Sequence, residues 1–339
     1  MMILLLCAFV LVFSLLLTGV LRRYALARSL VDISNGRSSH SVATPRGGGV
    51  AIVLGFLIAL LILVWAGMMR WPVFWALFAP GSAIAIVGFV DDHRHIAVRW
   101  RLFAHFCASF GILLCLGGAP ALSLFGDEIN LGWLGHVLAA FYLVWILNLY
   151  NFMDGIDGVA SVEAIFVCLS ACLVYTLEGY EDLVWTPLCL AMAVVGFLYW
   201  NFPPARIFMG DGGSGFLGIM LGGLSLHAAW SSPHLLWVWL ILLGVFIVDA
   251  TFTLVRRLLR GDKVYEAHRS HAYQFASRQA GRHLPVTLAV LGINVVWLLP
   301  IGLCVGLSVL DGLTGIVLAY TPLMFIAVRF HAGELEVLD

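Results

Sequence analysis

The stretch Ile3-Leu4-Leu5-Leu6-Cys7-Ala8-Phe9-Val10-Leu11-Val12-Phe13-Ser14-Leu15-Leu16-Leu17-Thr18-Gly19-Val20-Leu21 carries no charge, and Arg22, Arg23 and Arg28 follow it. As a helix it has the length needed to cross a hydrocarbon core of about 30 Å. No basic residue precedes it, the reverse of the charge order of a signal peptide, so the run is expected to stay as a first span. The whole chain repeats this character: of 339 residues, 62% are hydrophobic and 11% charged, with net charge −1 and a mean hydropathy of +1.01. A soluble domain carries about 25% charged residues, and a larger core cannot replace a missing water-facing shell. Twelve Trp, nine Tyr and 22 Phe suit membrane boundaries and lipid-facing surface. The composition excludes a soluble enzyme, a secreted disulfide scaffold, a basic nucleic-acid binder and a disordered chain.

Apolar windows recur near 3–21, 47–66, 72–90, 102–118, 132–150, 159–177, 183–200, 215–230, 234–255, 285–307 and 313–330. The expected fold is therefore an all-α polytopic membrane protein, one integral-membrane domain over 1–339 with about eleven transmembrane helices. The last two windows are the weakest, broken by Pro300, Asp311 and Gly312. With the amino terminus outside (periplasmic) and the carboxyl terminus cytosolic, every Lys and Arg except Arg70 falls on inside segments or at their helix ends. The inside connections lie near 22–46, 91–101, 151–158, 201–214 and 256–284. The cysteines, Cys7, Cys107, Cys115, Cys168, Cys172, Cys189 and Cys304, all fall in apolar stretches and read as buried thiols.

The unusual polar clusters all fall on that same side. Asp91 and Asp92 end the third window, where mutual repulsion and the negative helix pole call for a nearby cation; a solvated helix end beside Arg94 is the plainer reading. Asn148, Asn151, Asp154 and Asp157 recur every three residues at the end of the fifth, with Gly155 and Gly158 between and after the acids. Carboxylates and amide oxygens suit Mg²⁺ or the donors of a nucleotide base and ribose; Asp-Gly turns explain the glycines but not the asparagines. Phe208-Met209-Gly210-Asp211-Gly212-Gly213-Ser214-Gly215 leads into the eighth window and reads either as a simple helix cap or as a cradle of backbone N–H groups for phosphate. The 256–282 segment holds Arg256, Arg257, Arg260, Lys263, His268, Arg269, His271 and Arg278. Part of that charge suits anionic lipid, but the histidines with Arg269 suit phosphate and sugar hydroxyls. A fifth cluster, Arg37 to Gly49, is a turn and cap or, through Arg46, a further hold on an anion. Asp249, inside the ninth window, is a functional candidate or a helix–helix hydrogen-bonding group.

Taken together, Asp91-Asp92, the Asn148 to Gly158 run and Phe208-Met209-Gly210-Asp211 followed by Gly and Ser resemble the polyprenyl-phosphate N-acetylhexosamine-1-phosphate transferases, the MraY-like glycosyltransferase 4 family. The resemblance extends over nearly the whole chain in span number, motif order and sidedness. It implies transfer of an N-acetylated sugar 1-phosphate from a UDP-N-acetylhexosamine donor to undecaprenyl phosphate in a bacterial inner membrane, the site facing the cytoplasm. Mg²⁺ is implied as cofactor, with Mn²⁺ as substitute. By position, Asp91, Asp92, Asp154, Asp157 and Asp211 match the catalytic acids, with Asp92 and Asp211 at the metal. Asp154, Asp157 and Phe208 match the nucleotide side, and His268 and His271 the sugar end; by their own chemistry Asn148 and Asn151 are expected with the nucleotide group, and Arg46 and Arg269 with the sugar and phosphate group. The two histidines are here separated by Arg269 and Ser270, a departure from the family's His-rich motif that bears on the donor sugar. His95 is another departure, where many members have an acidic residue or Lys. The His-x-x-His loop and the length are most similar to the branch that initiates O-antigen, so lipopolysaccharide or another surface glycan is expected before peptidoglycan. The lipid bilayer is a further partner, a homodimer is possible and nucleic acid is not expected. A secondary transporter of a sugar-nucleotide or lipid-linked sugar is the alternative, although half-to-half symmetry is missing and only Asp249 sits deep.

Overall fold

The computed structural model describes residues 2–28, 31–32, 44–263 and 268–334. Arg37 to Ala43 of the fifth cluster lie outside the described residues, as do 264–267 of the 256–282 segment. The chain is predominantly helical: α1 (Met2–Ala27), α2 (Gly49–Trp65), α3 (Trp71–His93), α4 (Val98–Leu116), α5 (Gly132–Met153), α6 (Val159–Glu178), α7 (Glu181–Asn201), α8 (Asp211–Ser231), α9 (Leu235–Leu242), α10 (Gly244–Arg260), α11 (Ala272–Ala280), α12 (Leu284–Ile293), α13 (Leu299–Gly306) and α14 (Gly312–Arg329). Two short antiparallel hairpins add to the all-α expectation: β1 (Val31–Asp32) pairs with β2 (Thr44–Pro45), and β3 (Leu122–Leu124) with β4 (Asp127–Ile129).

Among the described residues eight helices are long and apolar enough to cross a membrane, so the protein is a polytopic membrane protein. All eleven windows carry helix, and three of them fall outside that set for separate physical reasons. Helix α2 has only 17 residues. Helix α8 is diluted by glycine because protein surrounds it: α3 and α5 both pack along it, and nearly all of its residues are buried. A Cβ at Gly218 would stand 2.7 Å from Leu147 Cα, so the small residue is what lets α5 approach. The 234–255 window, expected as one span, is instead α9 and α10, bent by 71° at Leu243–Gly244. Gly244 lacks the side chain that would meet Tyr320, Leu298 and Leu323 at 3.2 to 3.3 Å, and beyond the bend α10 buries Asp249, Thr253 and Arg257.

The two weakest windows are continuous helices. A π-helical turn over Asn294–Leu298 precedes Pro300, which sits in the first turn of α13, where its missing N–H costs little. Asn294 Nδ2 in that wide turn donates to Glu163 Oε2 of α6 at 2.6 Å and ties the two helices. Asp311 does not break a span but starts one, its carboxylate accepting from the Leu313 and Thr314 N–H groups as the cap of α14. All seven cysteines are free; four are buried, whereas Cys107 and Cys304 are exposed and Cys115 partly so, a correction to the reading of all seven as buried. Apolar sequence does not distinguish a side chain facing protein from one facing lipid.

Candidate active site

Chain direction brings the carboxyl ends of α3, α5 and α7 and the amino end of α8 to one end of the bundle. The segment before α2 joins them through an extended backbone pairing. Phe208 N–H donates to Pro45 O at 2.8 Å, Gly48 N–H to Phe208 O at 2.9 Å and Gly49 N–H to Met209 O at 2.9 Å. This pairing sets Arg46 beside the end of α3, with Nη1 3.4 Å from Asp92 Oδ1. Helix α3 approaches α8 at Gly88, where a Cβ would stand 2.6 Å from the Asp211 carbonyl.

The adjacent carboxylates Asp91 and Asp92 have different partners. Asp91 is buried, ion-paired with Arg101 and accepting the Ile96 N–H at 2.7 Å, so it holds the α3–α4 turn. Asp92 accepts from the N–H groups of Asp211 at 3.2 Å and Gly212 at 3.4 Å, capping α8 from another helix. Arg101 and Arg46 are the cations that two acids at a helix carboxyl terminus require.

Asp154 and Asp211 stand apart. Neither carboxylate makes a hydrogen bond or ion pair among the described residues. Loss of hydration, with repulsion from Asp211, Asp92 and Asp157, holds the Asp154 carboxyl well above the usual carboxylate range, Arg46 opposing this only in part. Asp157, by contrast, is engaged: it accepts the Ala205 N–H at 3.0 Å and lies 3.1 Å from His283 Nδ1. Asn151 Nδ2 donates to Ser214 Oγ at 2.9 Å, linking α5 to the first turn of α8. Asn148 sits one turn deeper, its amide donating to Val144 O at 2.7 Å and lying 3.2 Å from His105 Nδ1. Asp91, Asn148, Asn151 and Asp211 line one small void of about 30 Å³. Phe208 is half-buried next to Asn201-bound Ile207.

Helix α11 brings the histidines to the same end. Tyr273 Oη donates to Phe152 O at 2.9 Å, and a Cβ at Gly155 would meet that hydroxyl at 2.1 Å, so the α5–α6 turn and α11 fit only around glycine. Asp249, left open between a functional and a bonding role, is the anchor of this helix. Its carboxylate accepts the Ala272 and Tyr273 N–H groups at 3.0 Å each and lies 3.3 Å from His271 Nδ1. His268 stacks on His271 with ring centroids 4.9 Å apart. Burial, then the His271 and Arg257 charges, pushes the His268 pKa down to about 3, so it is a neutral hydrogen-bonding group at physiological pH. Arg269 gives its carbonyl to Arg278 Nη1 at 3.1 Å. Asp249→Ala is expected to strand two buried N–H donors and cost about 1–3 kcal/mol, loosening α11 before the bundle. Faster hydrogen exchange confined to residues 268–280 checks this; unchanged exchange there would refute the anchor.

Carboxylate and amide oxygens are the donors a hard divalent cation takes. No set of three or more His, Cys, Asp and Glu side chains forms a metal cage among the described residues. Mg²⁺, however, is held by one or two carboxylates together with water and substrate phosphates, and the unbonded Asp154 and Asp211 fit that pattern. Asp92, expected beside Asp211 at the metal, accepts one α8 N–H on each oxygen, and each oxygen keeps a second lone pair for a cation. Sequence reading did not single out His283, Arg101, His105 or Tyr273 as site residues. Only Arg101 had a signal, as the missing cation beside Asp91; the rest meet their partners through tertiary packing alone.

Comparison with known proteins shows the family. A family model described as glycosyl transferase family 4 matches residues 74–229. A probable undecaprenyl-phosphate N-acetylglucosaminyl 1-phosphate transferase of Bacillus subtilis is 31% identical over 267 residues, 76% of this chain and 73% of the relative. A phospho-N-acetylmuramoyl-pentapeptide-transferase of Rhodopseudomonas palustris is 31% identical over 271 residues, 69% of this chain and 73% of the relative. A decaprenyl-phosphate N-acetylglucosaminephosphotransferase of Mycobacterium tuberculosis is 28% identical over 315 residues, covering 80% and 75%.

Proposed function

This chain belongs to glycosyl transferase family 4, and from that premise we propose that it transfers an N-acetylhexosamine 1-phosphate from a UDP-sugar to undecaprenyl phosphate, releasing UMP. The observation that carries the reading is the gathering of Asp154 and Asp211, unpaired, with Arg46 and the amino terminus of α8 at one end of a membrane bundle. Two polyanions meet in this reaction. Arg46 would offset part of their charge, and Asp154 and Asp211 would hold Mg²⁺, or Mn²⁺ in its place. When bound, that ion would neutralise the diphosphate. An oxygen of the acceptor phosphate attacks the phosphorus next to the sugar, the bridging P–O bond breaks, and UMP carries away the electron pair. The acceptor is already an anionic nucleophile at neutral pH, so direct attack needs no general base. Asp157 and His283 steady the α5–α6 turn, and Phe208 offers a ring to uracil.

The donor end falls to α11 and the loop before it. His268 stacks on His271, which lies against the Tyr273 ring, and the two histidines are the groups offered to a hexose hydroxyl, with UDP-GlcNAc or a UDP-N-acetylfucosamine-like donor as the candidates. A bacterial inner membrane with the site on the cytoplasmic side suits a soluble UDP-sugar and the Lys and Arg distribution, and O-antigen or a related surface glycan is the proposed product pathway. Polar groups gathered at one end, rather than at mid-membrane, disfavour the transporter alternative. Purified protein given undecaprenyl phosphate, each UDP-sugar and Mg²⁺ is expected to release UMP, to stop in EDTA and to recover with Mg²⁺ or Mn²⁺. No release with any donor would overturn the reaction, and full turnover in EDTA would overturn the metal.

A further inference from the structure

At the opposite end of the bundle lies a polar cavity of about 510 Å³, between the α2–α3 turn, the α6–α7 turn and the end of α8. It is lined by Arg70, Glu181, Asp182, Thr186, His227 and Ser231. Arg70 is the one Lys or Arg that stands apart from the basic segments. Glu181 and Asp182 occupy the first turn of α7. Charges of both signs thus face one space, yet no ion pair joins Arg70 to either acid, nor to any other group among the described residues. Thr186 is 5% exposed and makes no hydrogen bond among the described residues, its hydroxyl lining the cavity, and the His227 ring also lines it without a partner there. Trp65 and Trp71 stand beside Arg70 in edge contact, ring centroids 5.6 Å apart and both exposed, as expected of rings at headgroup level.

We propose that this cavity binds the headgroup of a zwitterionic, primary-amine phospholipid such as phosphatidylethanolamine. The phosphate meets Arg70, His227 and the Thr186 hydroxyl, and the ammonium meets Glu181 and Asp182. The charge pattern selects this chemistry. A singly anionic headgroup satisfies Arg70 but leaves two carboxylates facing it. A quaternary amine balances the charge but has no N–H to donate. The ligand satisfies donors and acceptors that the protein leaves open, and the site is distinct from the Asp154–Asp211 cluster by the length of the bundle.

The test is full-length protein in nanodiscs of equimolar phosphatidylethanolamine, phosphatidylglycerol and phosphatidylcholine, with retained lipid counted by native mass spectrometry. Wild-type protein is expected to retain phosphatidylethanolamine about tenfold over either of the others, the selectivity of one charge-assisted hydrogen bond. Arg70→Ala should abolish that retention, and Glu181→Gln with Asp182→Asn should bring phosphatidylglycerol level with it. Equal retention of the three lipids by wild type, or a preference untouched by both variants, would overturn the site. Displacement of the lipid by an equal concentration of soluble glycerophosphoethanolamine would overturn the lipid as its source. Melting temperatures of the variants, read alongside, separate lost binding from lost folding.

Discussion

Asp154→Asn and Asp211→Asn are each expected to lower UMP release by roughly 10²- to 10³-fold, the size of effect seen when one electrostatic group at a reacting centre is removed. The same substitutions should raise the melting temperature of the cation-free protein. Both effects follow from one arrangement: Asp154 and Asp211 lack hydrogen bonds and lie within electrostatic range of each other and of Asp92, and an amide in place of either is not repelled. The pH dependence has a definite sign. Because the Asp154 carboxyl holds its proton more tightly in the folded chain than in the unfolded one, its stabilising contribution is full below the ordinary carboxylate range. That contribution is lost as pH rises through the elevated folded value. Cation-free wild type should therefore melt higher as pH falls from neutral into the mildly acidic range, and the rise should be smaller in Asp154→Asn. Thermal melts in detergent at several pH values, with and without Mg²⁺, check this alongside the UMP assay. Activity within a few-fold of wild type in either variant would remove these carboxylates from the reaction.

Gly88→Ala is expected to cost about 1–3 kcal/mol and to remove most activity, although residue 88 touches no substrate in the reading above. The added Cβ would stand 2.6 Å from the Asp211 carbonyl carbon and oxygen and from Gly212 Cα, all backbone atoms. Neither helix has a flexible side chain there that could give way, so α3 and α8 must separate, and separation pulls Asp92 off the N–H groups it caps. Gly292→Ala is the control: nothing beyond its chain neighbours and its own helix backbone lies within 4 Å of its added Cβ, and alanine is the better helix former. It should melt at or slightly above wild type with unchanged turnover. Measured side by side, equal activity in the two alanine variants would refute the close α3–α8 approach as the device that sets Asp211.

The sequence alone was enough for the membrane class, the helical windows and the gathering of acids at helix ends, because each depends on residues adjacent in the chain. Hydropathy over about 20 neighbours decides whether a helix can enter lipid, whatever lies beside it. The demand for a cation near Asp91 and Asp92 was equally local, a matter of two charges and a helix pole. Only the tertiary structure decided which cation, and what each acid does. Asp92 meets Asp211 across 119 residues of chain and Asp249 meets Ala272 across 23, and the same carboxylate chemistry becomes a helix cap in both places. His283 reaches Asp157 across a comparable gap and left no mark in the sequence, a histidine at a helix start being ordinary. The bend at Leu243–Gly244 was hidden because hydropathy counts apolar residues without their direction. What turns α10 is packing against Leu298, Tyr320 and Leu323, together with burial of Asp249 under α11.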